Sequence, residues 1–135
     1  MREITAELIT QTVKRLCIEA NCHLPQDIKQ CIQSCRSVEP WPQAQEILDR
    51  IVENYEIADR RNQPICQDTG MACVFLSVGQ EVHIQGDVNE AIHEGVRQGY
   101  AEGYLRKSVV RDPLDRVNTG DNTPAIIYYL KMLYV

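Results

Sequence analysis

Apolar side chains recur at helical spacing through residues 1–60. The first stretch carries them at Ile4, Leu8, Val13, Leu16 and Ala20. Pro25 suits the first turn of a second helix, whose apolar positions are Ile28, Cys31, Ile32 and Cys35. After VEPWPQ a third amphipathic face follows, made of Ala44, Ile47, Leu48, Ile51, Tyr55 and Ala58. The spacing therefore predicts three helices in this part of the chain.

The pattern becomes strand-like after residue 70. MACVFLSV (71–78) is a short apolar run before Gly79, and EVHIQG (81–86) alternates between apolar and polar residues. We expect the two segments to pair as a β-hairpin around Gly79 and Gln80. Asp87 has Glu90 three residues on, which is a capping-box pattern with Asp as the cap. This predicts a helix from Val88 to about Leu105.

Gly95, Gly99 and Gly103 recur every fourth residue along that helix. Each costs roughly 1 kcal/mol of helix propensity against Ala, and a stripe of this kind lets another backbone approach closely. A tight packing seam between helix and sheet is the favoured interpretation, and a ligand passing over the stripe is the alternative. The predicted fold is α+β: one domain over residues 1–135, with N-terminal helices packed on a small sheet and a glycine-striped helix after a β-hairpin.

Composition and charge limit the function. At 135 residues, with 44% hydrophobic and 24% charged residues, the chain has a globular balance. A net charge of −5 argues against a nucleic-acid partner, which needs a basic face. The start MREITAELITQTVKRL lacks an apolar signal region and no long apolar run occurs, so we expect a cytoplasmic protein without a membrane span. In that compartment six cysteines favour free thiols or metal ligands over disulfides.

The stretch PICQDTG (64–70) is the first candidate for chemistry. The thiolate of Cys66 is a soft ligand for iron or zinc, or a nucleophile if its pKa is lowered. Gln67 offers donors and an acceptor, Asp68 is an acceptor or a proton carrier, and Gly70 permits a sharp turn. The alternative is a strand-entry turn in which Asp68 caps local N–H groups and Cys66 is buried as a small hydrophobe.

A second constellation lies downstream. Arg106, Lys107 and Arg111 stand within six residues, and an Arg suits the bidentate recognition of an acidic small substrate. The segment VNTGDNTPA (117–125) could add backbone and hydroxyl donors. A solvated basic turn followed by a polar loop is the alternative for these two segments.

Taken together, NQPICQDTG, LRKSVVRDPLDRVNTGDNTPA and the lead-in ILDRIVENYEIADRRNQP resemble the class I fumarate hydratases, which are oxygen-sensitive iron–sulfur hydro-lyases. The resemblance covers roughly residues 3–127, and L-tartrate dehydratase alpha subunits are close relatives of the family. It implies reversible hydration of fumarate to L-malate on a [4Fe-4S] cluster held by three cysteines. The open iron of such a cluster acts as a Lewis acid on a small dicarboxylate substrate.

Matched residue by residue, Cys66 corresponds to the family's first cluster ligand, and Gln67 and Asp68 to residues that line the substrate site. Arg106 matches an arginine that pairs with a substrate carboxylate, so Asp68 and Arg106 are the catalytic candidates. The family's catalytic base and its other cluster cysteines come from a C-terminal part. The resemblance therefore implies the N-terminal piece of a longer alpha chain, inactive alone, in an oligomer with a beta subunit or C-terminal domain.

The end of the chain departs from the family pattern. IIYYLKMLYV (126–135) has Tyr128 about where the family has a His, and it reads as an apolar strand that a partner could cover. We expect Cys31 and Cys35 on the face of a core helix and Cys73 in the core. The three histidines, His23, His83 and His93, have no ligand spacing and are expected on the surface or in the core.

Three other functions stay open. One keeps the chemistry and changes the substrate to tartrate or another hydroxy-diacid. Another is a non-catalytic truncated domain that dimerises through its apolar end and binds no cluster. The third is a thiol redox protein that uses Cys66. No resolving cysteine stands at close sequence spacing to it.

Overall fold

Helices and short strands make up the fold. A computed structural model describes residues 2–131, in which there are four α-helices and four β-strands. In chain order these are β1 (Arg2–Thr5), α1 (Ala6–Cys22), α2 (Gln26–Val38), α3 (Pro42–Arg61), β2 (Cys73–Val78), β3 (Val82–Gln85), α4 (Val88–Glu102) and β4 (Ile126–Lys131). The α+β class and the three predicted N-terminal helices are confirmed, although Ile4, which the spacing assigned to the first helix, lies in β1. None of the described helices is both long and apolar enough to cross a membrane.

The chain divides into two compact units. Unit 1 comprises the described parts of Met1–Ile18 and Asp68–Val135, and unit 2 is Glu19–Gln67. The division falls within α1 and within the CQDTG motif, between Gln67 and Asp68. Two compact units can belong to one domain, so the single-domain expectation over residues 1–135 stays a prediction.

Both sheets are two-stranded and parallel. Strand β1 pairs with β3, and β2 pairs with β4, in a register that runs from Cys73 opposite Ile126 to Val78 opposite Lys131. The predicted hairpin of β2 with β3 is therefore wrong, although a tight turn does join them, with the Val82 N–H donating to the Gly79 carbonyl (3.2 Å). Parallel strands are joined by long crossover connections, so the alternation within a short segment does not show which strand it pairs with.

The glycine stripe of α4 is a packing seam. An added Cβ at Gly95 would lie 2.7 Å from the carbonyl oxygen of Thr10 and 2.7 Å from the Cβ of Val13. At Gly99 it would lie 2.8 Å from the Cβ of Cys17. The expected close approach is thus confirmed, but the neighbour is helix α1 and not the sheet. The helix begins as predicted, because the Asp87 carboxylate accepts a hydrogen bond from the Glu90 N–H at 3.0 Å.

Unit 1 contains a contiguous hydrophobic core. Its buried members come from α1, α4 and the segments after α4: Val13, Ile92, Val96, Tyr100, Leu105 and Ala125. One face of the β2–β4 sheet packs on this core through Val74, Leu76 and Ile127. On the same sheet Phe75 and Tyr128 are exposed, and their rings stack with centroids 5.0 Å apart. The predicted terminal strand is present at Ile126–Lys131, and residues 132–135 lie outside the described residues.

Unit 2 is built on the helix pair α2–α3. Ion pairs join Lys29 to Asp59 and Arg36 to Asp49. The Gln33 amide donates to the hydroxyl of Tyr55 at 3.2 Å. In the described structure no residue of α2 is buried, so the expected core positions of Cys31 and Cys35 are wrong.

Cys73 was expected in the core and is exposed as well. Cys73 lies on the same face of β2 as the exposed Phe75, opposite the face that packs on the core through Val74 and Leu76.

Candidate functional site

The segment that leads into the motif is anchored within unit 2. Helix α3 ends at Arg61, and its C-cap residue Asn62 takes a left-handed conformation (φ 49°). Beyond it the Ile65 N–H donates to the Asn21 carbonyl (2.9 Å), and the Asn54 amide donates to the Ile65 carbonyl (2.9 Å). These bonds fix the backbone just before Cys66. Cys66 and Gln67 follow with exposed side chains, so the alternative that buries Cys66 is wrong.

The rest of the motif belongs to unit 1 and forms a tight turn. The Asp68 carboxylate accepts a hydrogen bond from the Gly70 N–H (3.2 Å). Gly70 has a φ of +61°, in the left-handed region that favours glycine. The predicted capping of a local N–H by Asp68 is therefore confirmed. The Asp68 side chain is exposed.

The side chain of Thr69 ties this turn to Arg106. The Thr69 hydroxyl accepts a hydrogen bond from the Arg106 N–H (2.9 Å) and donates one to the Arg106 carbonyl (3.2 Å). The backbones of the two predicted site segments are thereby joined, although 37 positions separate Thr69 from Arg106. The structure thus brings Arg106 beside the turn that carries Asp68, and the Arg106 side chain is exposed.

Asn122 is a fully buried connector between three backbone segments. Its carbonyl oxygen accepts hydrogen bonds from the N–H groups of Ser108 (2.7 Å) and Val109 (3.0 Å). Its amide nitrogen donates to the Gly70 carbonyl (3.1 Å). The Tyr100 hydroxyl lies within bonding distance of the carbonyls of Thr69 (3.0 Å) and Gly70 (3.2 Å). The motif turn is therefore held from two sides by buried polar side chains.

Most polar side chains of the downstream loop bind neighbouring backbone. The Asn118 amide donates to the Lys107 carbonyl (2.7 Å), and the Thr119 hydroxyl donates to the Val109 carbonyl (3.2 Å). The Thr123 hydroxyl donates to the Asp121 carboxylate (2.8 Å). These groups, which the sequence offered as donors to a ligand, thus shape the loop that supports the segment from Arg106 to Val110.

Burial and hydrogen bonding change the pKa values of two ionisable groups near this loop. Burial raises the pKa of Tyr100 to about 12, so its hydroxyl stays protonated and remains a donor at neutral pH. For Asp121 burial opposes ionisation, but bonds from Thr123 and Thr119 and the charge of Arg97 hold the carboxyl pKa below its usual range. The loop therefore keeps its negative charge at neutral pH.

Residues 10–132 match the family described as fumarate hydratase (Fumerase). This chain belongs to that family. The predicted resemblance is thereby confirmed over nearly the same range.

Relatives agree with this membership. The chain is 36% identical to a putative L(+)-tartrate dehydratase subunit alpha of Methanocaldococcus jannaschii, over 87% of this chain and 43% of the relative. It is 32% identical to a putative fumarate hydratase class I of Geobacillus stearothermophilus, over 86% of this chain and 22% of the relative. An L(+)-tartrate dehydratase subunit alpha of Escherichia coli is 26% identical, over 85% and 38%. The chain spans less than half the length of these relatives.

The cysteine chemistry of this Fumerase-family chain fits only part of an iron–sulfur centre. Cys66 offers an exposed thiol, a suitable donor for iron. Among the residues from 2 to 131, no group of three or more His, Cys, Asp or Glu side chains is arranged to hold a metal ion. The described part of the chain therefore does not fit a complete three-cysteine site.

Sequence reasoning missed the residues that organise the site, namely Thr69, Tyr100 and Asn122. Thr69 lies inside the CQDTG motif, and Asn122 lies inside NTGDNTPA, so both motifs held the signal. Tyr100 carried none, because a tyrosine in a helix adjacent to glycine is an ordinary core residue. What a single sequence lacks is the pairing of Thr69 with Arg106, and of Asn122 with Gly70.

Proposed function

We propose that this chain is the dicarboxylate-binding part of a hydro-lyase that reversibly hydrates fumarate to L-malate. The observation that carries the proposal is the double hydrogen bond between the Thr69 hydroxyl and the Arg106 backbone, which sets a cationic side chain beside the Asp68 turn. Family membership supports the reaction class. A site for a small diacid needs a cation and nearby polar groups, and the held backbone of Arg106 beside the Asp68 turn supports this proposal.

Arg106 is proposed to bind one substrate carboxylate. A guanidinium forms two parallel hydrogen bonds to a carboxylate, which fixes both the position and the orientation of the acid. Because the side chain is exposed and its backbone is held, a substrate reaches it without displacing packed residues.

Gln67 and Asp68 are proposed to bind the reacting end of the substrate. The Gln67 amide can donate to a carboxylate, and the Asp68 carboxylate can accept from the hydroxyl of L-malate. Asp68 already accepts from the Gly70 N–H, which limits its rotation. Water addition also needs a base, and the resemblance assigns that base to a part of the family beyond this chain.

Cys66 is proposed as one thiolate ligand of a [4Fe-4S] cluster. The other ligands must then come from another polypeptide, either a C-terminal domain or a beta subunit. The naming of two relatives as alpha subunits supports such a partner. Six cysteines outside any disulfide and an oxygen-sensitive cofactor both suit the cytoplasm, which is the compartment we propose.

A second substrate is favoured by one specific observation. The relative at 36% identity is named for L(+)-tartrate and not for fumarate. Tartrate is malate with one further hydroxyl and has the same two carboxylates, so Arg106 would bind a carboxylate of either acid. Competition among fumarate, L-malate and L-tartrate for binding to the chain distinguishes the two.

The test is anaerobic reconstitution with iron and sulfide, followed by visible absorption. The chain is measured alone and mixed with the C-terminal part of a family member, each as wild type, Cys66→Ser and Cys31→Ser. Cys31 is the matched control, because it is also an exposed thiol of unit 2. We expect colour only in the mixture, lost in Cys66→Ser and kept in Cys31→Ser. Colour that survives Cys66→Ser would contradict the assigned ligand.

A further inference from the structure

One hydroxyl group supplies both hydrogen bonds that the described structure gives to the Arg106 backbone. The Thr69 oxygen receives the N–H at 2.9 Å and donates to the carbonyl at 3.2 Å. Arg106 lies two residues after Tyr104, which has a left-handed conformation (φ 53°), and it is outside any helix or strand. Its position is therefore set by a side chain and not by regular secondary structure.

The turn that carries Thr69 is itself rigidly held. Its carbonyl oxygens at Thr69 and Gly70 lie within bonding distance of the Tyr100 hydroxyl, and the Gly70 carbonyl also accepts from Asn122. Tyr100 and Asn122 are both buried, at 2% and 0% exposure. Thr69 thus connects the backbone of exposed Arg106 to a turn that buried side chains hold in place.

We propose that Thr69 is a positioning residue for Arg106, and that the hydroxyl on Thr69 sets how tightly the chain binds a dicarboxylate. This inference rests on the proposed function, since it assigns Arg106 the carboxylate contact. Valine has nearly the shape of threonine but neither accepts nor donates, so Thr69→Val releases both bonds. Serine keeps the hydroxyl, so Thr69→Ser preserves them.

The binding experiment uses the full chain with fumarate, L-malate and L-tartrate as probes. Losing two ordinary hydrogen bonds predicts about tenfold weaker binding in Thr69→Val. Thr69→Ser should stay within about twofold of wild type, because it retains both bonds. The matched control is Thr12→Val, which makes the same chemical change at a hydroxyl that bonds to Leu8 within α1, and it should leave binding unchanged.

A double-mutant cycle separates positioning from a general loss of structure. In an Arg106→Gln background, Thr69→Val should cause no further loss of binding, because the group it positions is already absent. Wild-type affinity in Thr69→Val would overturn the inference. So would an equal loss in the wild-type and Arg106→Gln backgrounds.

Amide hydrogen exchange at Arg106 tests the positioning role of Thr69 even if none of the acids binds. If the wild-type chain binds none of the three acids, the proposed function fails, and the positioning of Arg106 by Thr69 is tested by this exchange rate alone. Faster exchange of the Arg106 amide in Thr69→Val, restored in Thr69→Ser, supports the positioning role. An unchanged rate would overturn it.

Discussion

Unit 1 and unit 2 are stabilised by different kinds of interaction. Unit 1 buries a contiguous apolar core and closes it with a glycine seam whose neighbours lie within 3 Å of an added Cβ. In unit 2 the described buried residues are few, namely Cys22, Tyr55 and Ala58, and its helix pair is joined by ion pairs at partly exposed side chains. Ion pairs at partly exposed side chains contribute less to stability than close packing does. We infer that unit 2 opens more readily than unit 1.

The difference in burial matters for the CQDTG motif, because the boundary between the two units falls inside it. Cys66 and Gln67 belong to the unit with little burial, while Asp68 and Arg106 belong to the packed unit. Local opening of unit 2 would therefore affect the proposed cluster ligand before it affects the proposed carboxylate site. The following variants test that contrast.

The largest effect is expected from Gly95→Ala in unit 1. The new Cβ would lie 2.7 Å from the Thr10 carbonyl oxygen, so α1 and α4 must separate. Overpacking of this kind costs about 3 kcal/mol in the free energy of unfolding. Thermal or denaturant unfolding followed by circular dichroism measures it. The control is Gly79→Ala, whose nearest atom would be 4.0 Å away, and equal losses in the two variants would contradict the seam.

Asn122→Gly is expected to cost nearly as much. Asn122 has a left-handed φ of 63°, which glycine adopts freely, so the change removes only the side chain. It leaves the N–H groups of Ser108 and Val109 and the Gly70 carbonyl without their buried partner, at about 2–3 kcal/mol. The same denaturant series applies.

The matched variant in unit 2 is Asn62→Gly, also at a left-handed position (φ 49°). Its exposed side chain contacts only a ring nitrogen of His23 among the bonds described (3.2 Å). We expect a loss of less than about 1 kcal/mol. Comparable losses in the free energy of unfolding for Asn62→Gly and Asn122→Gly would contradict the inferred difference in stability between the two units.

Acidification is expected to weaken unit 2 through Asp59. Hydrogen bonds from Lys29 and His23 hold the pKa of the Asp59 carboxyl below its ordinary value of 3.8. The unfolded chain therefore binds this proton first, so the stabilising contribution is present above about pH 4 and is lost as the pH falls through the folded-state pKa. Asp59→Asn should flatten this part of the stability–pH profile, measured by unfolding in acid.

The control for Asp59 is Glu53→Gln, which removes the exposed pair with Arg50. An exposed pair of this kind is worth little, so its profile should follow wild type. A profile that stays unchanged in Asp59→Asn would show that the charged contacts do not hold α2 against α3.

The features that could be predicted from the sequence are those that depend on residues close together in the chain. The cap of α4 depends on Asp87 and Glu90, three residues apart, and the helices depend on local spacing. The partners of β2 and β3 were missed because parallel pairing joins Cys73 to Ile126 across a long crossover. In the candidate site the motif residues were found, but the bond that joins Thr69 to Arg106 spans 37 positions. Long-range contacts of this kind leave no pattern in one sequence.

The smallest expected effect concerns two cysteines, the partly buried Cys17 and the buried Cys22. Burial raises the pKa of Cys17 to about 11 and raises that of Cys22 as well, so both thiols are poor nucleophiles in the folded chain. The exposed thiols, which include Cys31 and Cys35, should react first with iodoacetamide. Cys17 lies in unit 1 and Cys22 in unit 2, so each reports the opening of its own unit.

With denaturant below the unfolding midpoint, we expect Cys22 to be alkylated before Cys17, as measured by mass spectrometry of peptides. Partial opening of unit 2 would expose Cys22, whereas Cys17 lies against Gly99 in the glycine seam and needs that seam to separate. Complete unfolding at high denaturant is the control, since both thiols should then react alike. If the two are labelled at the same rate at every denaturant concentration, the chain opens as one cooperative body. The weaker burial of unit 2 would then have no consequence for the loop that carries Cys66.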